Sequence, residues 1–260
     1  ITNVAPAHLE GFGSIENIAK TKGALFESLS EGVSFVNITD NQVSKLKIFG
    51  DRVTFGLTPD CDYPADLHHE EDSTITLTIN AQEIPTNSTN LSFAKNVIAA
   101  SAIAQELGLG WDTIIDRIKT FIPPKGRCEV KNNGKITVID DTYNANLEST
   151  IAAIDYLKAF SGNGQRIFVF GDMLELGDSS IEQHKTIGEK CNDSKIDAVL
   201  TFGKETIATD GALLIDYHRH YNHKEDLLNT LSEIAKDGDK VLVKGSRGMK
   251  METIVEMLLR

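Results

Sequence analysis

The second half of the chain alternates between short apolar segments and longer amphipathic ones, and this alternation constrains the fold more than any other feature. Four predicted strands are each followed by a predicted helix, and the strands span residues 136–140, 166–170, 198–202 and 240–243. Such alternation is typical of a mostly parallel sheet with helices on both faces. We therefore predict a doubly wound α/β domain, in which ligands bind at the carboxyl ends of the strands.

A pair of prolines separates this half from the first. Pro123 and Pro124 resist both a helix and a central strand, so residues 123–127 (P-P-K-G-R) predict a hinge or a domain boundary. The chain has 260 residues, which is enough for two ordinary domains. We therefore predict a first α/β domain over residues 1–122 and a Rossmann-like, doubly wound domain over residues 123–260.

Composition and charge exclude several classes of function. The chain contains 26 lysine and arginine residues against 38 aspartate and glutamate residues, which gives a formal net charge of −12. A protein that coats DNA or RNA needs a basic face, so this balance argues against that role. No apolar run approaches the roughly 18 residues of a membrane span. Three widely spaced cysteines without a C-x-x-C motif favour a reducing, cytoplasmic location.

Polar and charged residues follow three of the predicted strands in the second domain. The segments read D-D-T-Y-N-A-N at 140–146, G-D-M-L-E-L-G at 171–177 and K-G-S-R-G at 244–248. Gathered at one edge of a sheet, they could bind a ribose, a phosphate or a carboxylate. A structural interpretation stays open as well, because Asn146 suits a helix cap and solvated loops carry such residues.

Two common nucleotide-binding motifs are absent from the sequence. Neither a G-x-x-x-x-G-K-[S/T] phosphate loop nor a G-x-G-x-x-G turn occurs in the 260 residues. Residues and spacing alone therefore lead only as far as a two-part α/β protein with polar strand ends.

Six stretches of the sequence together resemble the Mur ligases, the ATP-dependent amide-forming enzymes of bacterial peptidoglycan synthesis, and among them the MurF type. They are T-N-V-A-P-A-H-L-E-G-F-G-S at 2–14, A-K-T-K-G at 19–23, P-P-K-G-R at 123–127, D-D-T-Y-N-A-N at 140–146, G-D-M-L-E-L-G at 171–177 and L-V-K-G-S-R-G-M-K-M-E at 242–252. These stretches run in order along essentially the whole chain. The fourth and fifth are specific to the MurF type.

The resemblance implies a ligase that joins D-Ala-D-Ala to the carboxylate of a UDP-N-acetylmuramoyl-tripeptide, with ATP and Mg²⁺ as cofactors. The carboxylate would first take the γ-phosphoryl group of ATP to give an acyl phosphate. The amine of the dipeptide would then attack, and phosphate would leave. The resemblance further implies a cytoplasmic monomer with no membrane span and no nucleic-acid partner.

Two residues near the start of the chain are expected to be catalytic and to bind metal. By the same resemblance, His8 matches a histidine of a magnesium site, and Lys22 matches a lysine that carries a carbamate. Carbon dioxide converts the cationic amine into an anionic oxygen ligand, which suits Mg²⁺ far better than an ammonium does.

Three more residues are expected at the nucleotide, namely Asn96 near the adenine and both Arg127 and Asp141 at the phosphates and the ribose. The family has His-Asn before the helix that carries Asn96, whereas this sequence has Ser92-Phe93. The residues expected to face the dipeptide all belong to the second domain, and they are Asn144, Asn146, Lys244, Ser246 and Arg247.

The sequence departs from the family in one large respect. Family members carry an N-terminal domain for the UDP-sugar and a G-K-[S/T] phosphate loop at the start of the central domain, and neither occurs here. We therefore expect residues 1–122 to be the remainder of a central, ATPase-type α/β domain and residues 123–260 to be the C-terminal domain. On this interpretation the chain is the latter part of a longer ligase and is inactive alone.

Three other interpretations compete with this one. Another Mur-type or folylpolyglutamate-type ligase is the first, although the D-D-T-Y-N-A-N stretch argues against it. The second is a non-catalytic α/β module that binds a ligand without a phosphate loop. The third is a structural or interaction protein, which would not need Asp, Asn, Lys and Arg gathered at its strand ends.

Overall fold

A computed structural model describes residues 1–6, 9–71, 74–122, 124–160 and 162–260 of the chain. These residues form two compact units, Ile1–Phe121 and Ile122–Arg260. His8 and Pro123, which the sequence assigns to a metal site and to a hinge, lie outside the described residues. None of the described helices is long and apolar enough to cross a lipid bilayer.

The first unit is built on a five-stranded sheet. Its elements in the described ranges are the helices α1 (Leu9–Phe12), α2 (Ile15–Glu27), α3 (Leu91–Glu106) and α4 (Trp111–Lys119), and the strands β1 (Val33–Asn37), β2 (Asp51–Gly56), β3 (Tyr63–His69), β4 (Ile75–Ile79) and β5 (Gln82–Pro85). The strand order is β1-β2-β3-β4-β5, in which β1, β2 and β3 are parallel. The strands β3, β4 and β5 pair antiparallel.

Helix α3 provides much of the core of this unit. Ala94, Val97, Ile98 and Ala102 recur at helical spacing and are buried in one cluster with Leu77 of β4. The mixed α/β character predicted for residues 1–122 is therefore confirmed.

The second unit contains a six-stranded sheet. Its strands are β6 (Glu129–Asn132), β7 (Thr137–Asp141), β8 (Arg166–Gly171), β9 (Ala198–Phe202), β10 (Tyr217–Tyr221) and β11 (Lys240–Lys244), and its helices are α5 (Leu147–Ala159), α6 (Ser180–Asn192), α7 (Ile207–Asp210), α8 (Lys224–Ile234) and α9 (Glu252–Leu258). The strand order is β10-β9-β8-β11-β7-β6. All pairings are parallel except that between β6 and β7.

Helices cover both faces of this sheet, as the alternation of segments predicts. On β7, Ile139 joins an apolar cluster with α5 and α6, whereas its neighbour Val138 joins a second cluster with α8 and α9. Phe168 and Val169 of β8 are divided between the two clusters in the same way. Since both faces are buried, the central strands have near-continuous apolar sequences. The doubly wound fold is confirmed.

The last helix begins three residues later than its apolar pattern indicates. The pattern predicts a helix from Met249, but residues Arg247–Met249 form a 3₁₀ turn, and α9 begins at Glu252. Lys250 adopts a left-handed backbone conformation with φ +50°, which interrupts a right-handed helix.

Candidate functional site

Three loops meet at the carboxyl edge of the second sheet. They follow β7, β8 and β11, which lie side by side in the order β8-β11-β7 and run parallel. Parallel neighbours place their carboxyl ends at one edge, where open α/β sheets bind their ligands. The loops contain the three polar segments that the sequence singles out, and direct contacts join them.

An ion pair joins the ends of β7 and β11. Lys244 lies opposite Asp141 in the strand register, and its Nζ is 2.5 Å from Asp141 Oδ2. The same ammonium donates a hydrogen bond to the Asn144 carbonyl oxygen at 3.0 Å. Asp141 Oδ1 accepts a hydrogen bond from the Cys128 backbone N–H at 3.0 Å. The sequence assigns Lys244 to the dipeptide, but its side chain is only 2% exposed and faces these protein oxygens.

Ser246 joins all three loops. Its backbone N–H donates to the Asp172 carbonyl oxygen at 3.0 Å, and its Oγ accepts from the Leu174 backbone N–H at 2.8 Å. The hydroxyl also donates to the Ala145 carbonyl oxygen at 3.4 Å. The sequence likewise assigns Ser246 to the dipeptide. In the structure it is buried, and its hydrogen bonds fix the relative positions of the loops.

The carboxylate of Asp172 holds the loop after β9 in the same region. Its Oδ1 accepts hydrogen bonds from the backbone N–H groups of Glu205 at 3.0 Å and Thr206 at 2.9 Å. Gly203 has φ +117°, and a Cβ atom there would lie 2.5 Å from the Asp172 carboxylate. A glycine is therefore required for this close approach.

A buried histidine supports the loop after β8. His184 Nε2 accepts a hydrogen bond from the Met173 backbone N–H at 3.0 Å, and Nδ1 lies 2.8 Å from the Ser180 carbonyl oxygen. These partners assign a neutral imidazole with its proton on Nδ1. Burial lowers the pKa of His184, because it outweighs the Ser180 hydrogen bond and the nearby Asp172 and Glu205 carboxylates.

Tyr143 presents an exposed aromatic ring to two arginine side chains. The guanidinium carbon of Arg127 lies 3.9 Å from the ring centroid, and that of Arg247 lies 6.0 Å from it. Arg247 also has Glu252 at 3.6 Å. In the ranges that the structure describes, no carboxylate lies within ion-pair distance of Arg127. The two exposed guanidinium groups therefore give the loop edge a positive patch that an anion could occupy.

The two asparagines of the loop after β7 differ in their surroundings. Asn144 is exposed. Asn146 begins helix α5, because its Oδ1 accepts from the Ser149 backbone N–H at 2.9 Å. Ser149 Oγ accepts from the Asn146 backbone N–H at 3.2 Å, which completes a capping box. The helix-cap interpretation of Asn146 is confirmed, and its contact with the dipeptide stays a prediction.

In the first unit, the two described site residues lie on different helices. Lys22 is exposed on α2, and its Nζ donates to the Asn3 carbonyl oxygen at 3.1 Å. Asn96 is exposed on α3. Within the described residues of this unit, no hydrogen bond or ion pair joins Lys22 to Asn96.

The described residues do not by themselves supply a magnesium site. They contain no group of three or more His, Cys, Asp or Glu residues that could hold a metal ion. An ammonium such as that of Lys22 has donors but no acceptor, so it fits Mg²⁺ only after conversion to an oxygen ligand. His8 lies outside the described residues. The magnesium assignment of His8 and Lys22 stays a prediction.

The sequence identified the three segments but did not assign roles to Tyr143 and His184. Tyr143 is the one aromatic residue among the three segments, and this signal could have identified it. His184 shares the spacing of Ile187 and Cys191 on the buried face of α6. A polar residue on such a face needs a buried partner, which is the signal for its structural role.

Two family models match the chain. The Mur ligase middle domain matches residues 1–104, and the domain described as "Mur ligase, glutamate ligase domain" matches residues 126–247.

Curated relatives match along essentially the whole chain. The UDP-N-acetylmuramoyl-tripeptide–D-alanyl-D-alanine ligase of Haemophilus influenzae is 32% identical over 270 residues, covering 99% of this chain and 58% of that protein. The ligase of the same name from Bacillus subtilis is 33% identical over 269 residues, covering 100% and 58%. The chain therefore spans 58% of the length of these two relatives.

Solved structures show the same architecture. MurF from Acinetobacter baumannii superposes with a TM-score of 0.86 at 25% identity, covering 100% of this chain and 58% of that one. The MurF ligase from Thermotoga maritima in complex with ADP gives a TM-score of 0.84 at 26% identity, covering 99% and 60%.

Proposed function

The chain belongs to the Mur ligase family, and on this premise we propose that it forms the middle and C-terminal part of an ATP-dependent ligase that joins D-alanyl-D-alanine to UDP-N-acetylmuramoyl-tripeptide. The observation that carries the proposal is the identity of 32% and 33%, along essentially the whole chain, with two ligases named for this reaction. The reaction would contribute a peptidoglycan precursor in the cytoplasm.

The proposed reaction has two steps. A carboxylate oxygen of the tripeptide attacks the γ-phosphorus of ATP, the bond to the ADP oxygen breaks, and an acyl phosphate forms. The amine of D-Ala-D-Ala then attacks the acyl carbon, and phosphate leaves with the bonding electrons as the amine loses a proton. Both steps need stabilisation of charge on phosphoryl oxygens, which cationic side chains and magnesium supply in this class of reaction.

The exposed cations of the second unit are suited to this need. Arg127 has no carboxylate partner in the described chain, and we assign it to the phosphoryl oxygens. Arg247 shares its aromatic ring and is assigned to the carboxylate of the dipeptide. The exposed amide of Asn144, together with Asn146, would then meet the peptide groups of the same substrate.

The buried members of the site would act by positioning these groups. Lys244 and Ser246 hold the three loops together, and both are almost inaccessible to a ligand. Asp141 is also largely unavailable to a ligand, since each of its carboxylate oxygens accepts a hydrogen bond from the protein. A ribose hydroxyl could share one of those oxygens, because the Asp141 side chain is 12% exposed.

In the first unit, we assign Asn96 to the adenine and Lys22 with His8 to Mg²⁺. The support for Lys22 is its exposure on α2, which leaves the amine accessible to carbon dioxide. When bound, Mg²⁺ would neutralise charge on the phosphates. In the structure Lys22 carries out a simpler function, which is to hold the Asn3 carbonyl oxygen at 3.1 Å.

The proposal is tested on the protein translated from the complete reading frame that contains these 260 residues. Phosphate release is measured with the tripeptide substrate and one acceptor at a time: D-Ala-D-Ala, D-glutamate, meso-diaminopimelate or L-alanine. We expect release to depend on D-Ala-D-Ala alone. An equal rate with another acceptor would assign a different ligase, and tight dipeptide binding without ATP turnover would assign a non-catalytic module.

Two variants sharpen this test. Arg127→Ala is expected to lower kcat/KM by about 100-fold or more, because removal of one charge-stabilising donor typically has that effect. Arg219→Ala removes an exposed arginine from the edge strand β10 and is the matched control, for which we expect an unchanged rate. The 260-residue chain itself is expected to release no phosphate. Equal losses in the two variants would remove the assignment of Arg127.

A further inference from the structure

The backbone on both sides of Arg127 is fixed by the segment that carries Tyr143. The Tyr143 backbone N–H donates to the Gly126 carbonyl oxygen at 2.9 Å, and the Cys128 N–H donates to Asp141 Oδ1 at 3.0 Å. Gly126 has φ +71°, and a Cβ atom there would lie 3.1 Å from the Tyr143 nitrogen. The start of the Arg127 side chain is therefore held close to the Tyr143 backbone.

The ring orients the far end of this side chain. Arg127 is exposed, and a free arginine side chain at the surface occupies many rotamers. Its guanidinium carbon lies 3.9 Å from the centroid of the Tyr143 ring. Within the described parts of the chain, the guanidinium makes no hydrogen bond and no ion pair, so the ring is the contact that restricts it.

Stacking leaves the hydrogen-bond donors of an arginine available. A guanidinium is planar, and its five N–H groups point outward in that plane. When one face lies on an aromatic ring, the edge of the guanidinium can still bind two oxygens of a phosphoryl group. A carboxylate partner in place of the ring would occupy those donors. An aromatic ring is thus a group that orients Arg127 without competing with an anionic ligand.

We propose that Tyr143 is a positioning residue, which holds the guanidinium of Arg127 by stacking so that its N–H edge meets a phosphoryl oxyanion of the substrate. Arg247 lies 6.0 Å from the same ring and 3.6 Å from Glu252, so unlike Arg127 it has a carboxylate partner. This inference rests on the proposed ligase function and deepens it, because it names a residue that acts through Arg127 and does not touch the reacting atoms.

The kinetic test compares Tyr143→Leu, which removes the ring, with Tyr143→Phe, which keeps it. An exposed cation–π contact is worth about 0.5–1 kcal/mol, so we expect Tyr143→Leu to lower kcat/KM for ATP about two- to fivefold. Tyr143→Phe should stay within about twofold of the parent. Tyr217→Leu, which removes another exposed tyrosine from the edge strand β10, is the control and should change nothing.

A double-variant cycle tests whether Tyr143 acts through Arg127. In an Arg127→Ala background, Tyr143→Leu should cause no further loss of activity, since the group that it orients is absent. A further loss of the same size in that background would overturn the proposal. So would an equal loss in Tyr143→Phe, because that variant retains the stacking surface.

A spectroscopic test does not depend on activity. In nitrogen-15 labelled protein, the side-chain N–H resonance of Arg127 should show an upfield ring-current shift that persists in Tyr143→Phe and disappears in Tyr143→Leu. An unchanged resonance in Tyr143→Leu would overturn the stacking. If the shift behaves as expected but the full protein shows no ligase activity, the proposed function fails while the orienting contact stands; this outcome separates the two.

Discussion

Replacing Lys244 by methionine tests whether the buried ion pair organises the carboxyl edge of the second sheet. The methionine side chain fills a similar volume, but the Asp141 carboxylate then keeps the Cys128 N–H as its partner and loses the ammonium. The Asp141 side chain is 12% exposed, so little solvent compensates its charge. It also removes the hydrogen bond to the Asn144 carbonyl oxygen. Breaking a buried pair by removing one partner costs about 3–5 kcal/mol. We expect about 3 kcal/mol, because some solvent reaches Asp141.

The double variant Lys244→Met with Asp141→Asn provides an internal check on this reasoning. It removes both charges, so no uncompensated carboxylate stays buried. We therefore expect the double variant to be more stable than Lys244→Met alone, although it carries one more substitution. If the loss of stability in the double variant equalled the sum of the losses in Lys244→Met and Asp141→Asn, the ion-pair explanation would be contradicted.

Amide hydrogen exchange followed by mass spectrometry measures the loss of stability locally, in the strands β7 and β11. A loss of about 3 kcal/mol corresponds to roughly 100-fold faster exchange, if β7 and β11 exchange by opening together. Lys190→Met is the control, because its pair with Asp155 has side chains that are 27% and 50% exposed, and such pairs contribute about 1 kcal/mol or less. Equal acceleration in the two variants would refute the account.

Three further predictions concern the loops. Burial lowers the pKa of His184, so below about pH 6.5 the unfolded chain binds more protons than the folded protein does. The free energy of unfolding should therefore fall as the pH drops from 7 to 5.5. Urea titrations should show a smaller fall for His184→Gln. Gly203→Ala places a Cβ against Asp172 and should lower the stability of the protein by about 1–3 kcal/mol, as measured by thermal melts. Gly134→Ala is the control and should cost less, because Gly134 also has a positive φ, +88°, but has open space around the added Cβ. Asn146→Ser should retain the α5 cap and thermal stability; an unchanged KM for D-Ala-D-Ala in that variant would remove Asn146 from the substrate site.

The sequence predicted the core of the second sheet and missed its edges. Central strands such as β8 are buried on both faces, so their apolar runs are conspicuous. The edge strand β10 has the sequence Y-H-R-H-Y and is largely exposed. Nothing in such a polar stretch distinguishes a strand from a loop, and its pairing with β9 depends on the whole fold.

The site was predicted at the level of segments more than of side chains. The sequence predicts that Lys244 is an accessible cation at a strand end. The strand order β8-β11-β7 instead places it beside Asp141, where the two charges neutralise one another. That order is a tertiary property, which local spacing does not encode. The stacking of Arg127 on Tyr143 was missed for the same reason, because two separate segments contribute to it.

Transfer of a labelled oxygen tests the central claim most directly. The tripeptide substrate is prepared with oxygen-18 in its terminal carboxylate and incubated with ATP, D-Ala-D-Ala and the protein from the complete reading frame. If the chain is part of a ligase that forms an acyl phosphate, each phosphate released carries one oxygen-18 atom, because the carboxylate oxygen leaves with the phosphoryl group. Release of unlabelled phosphate would show direct hydrolysis of ATP and would contradict the account.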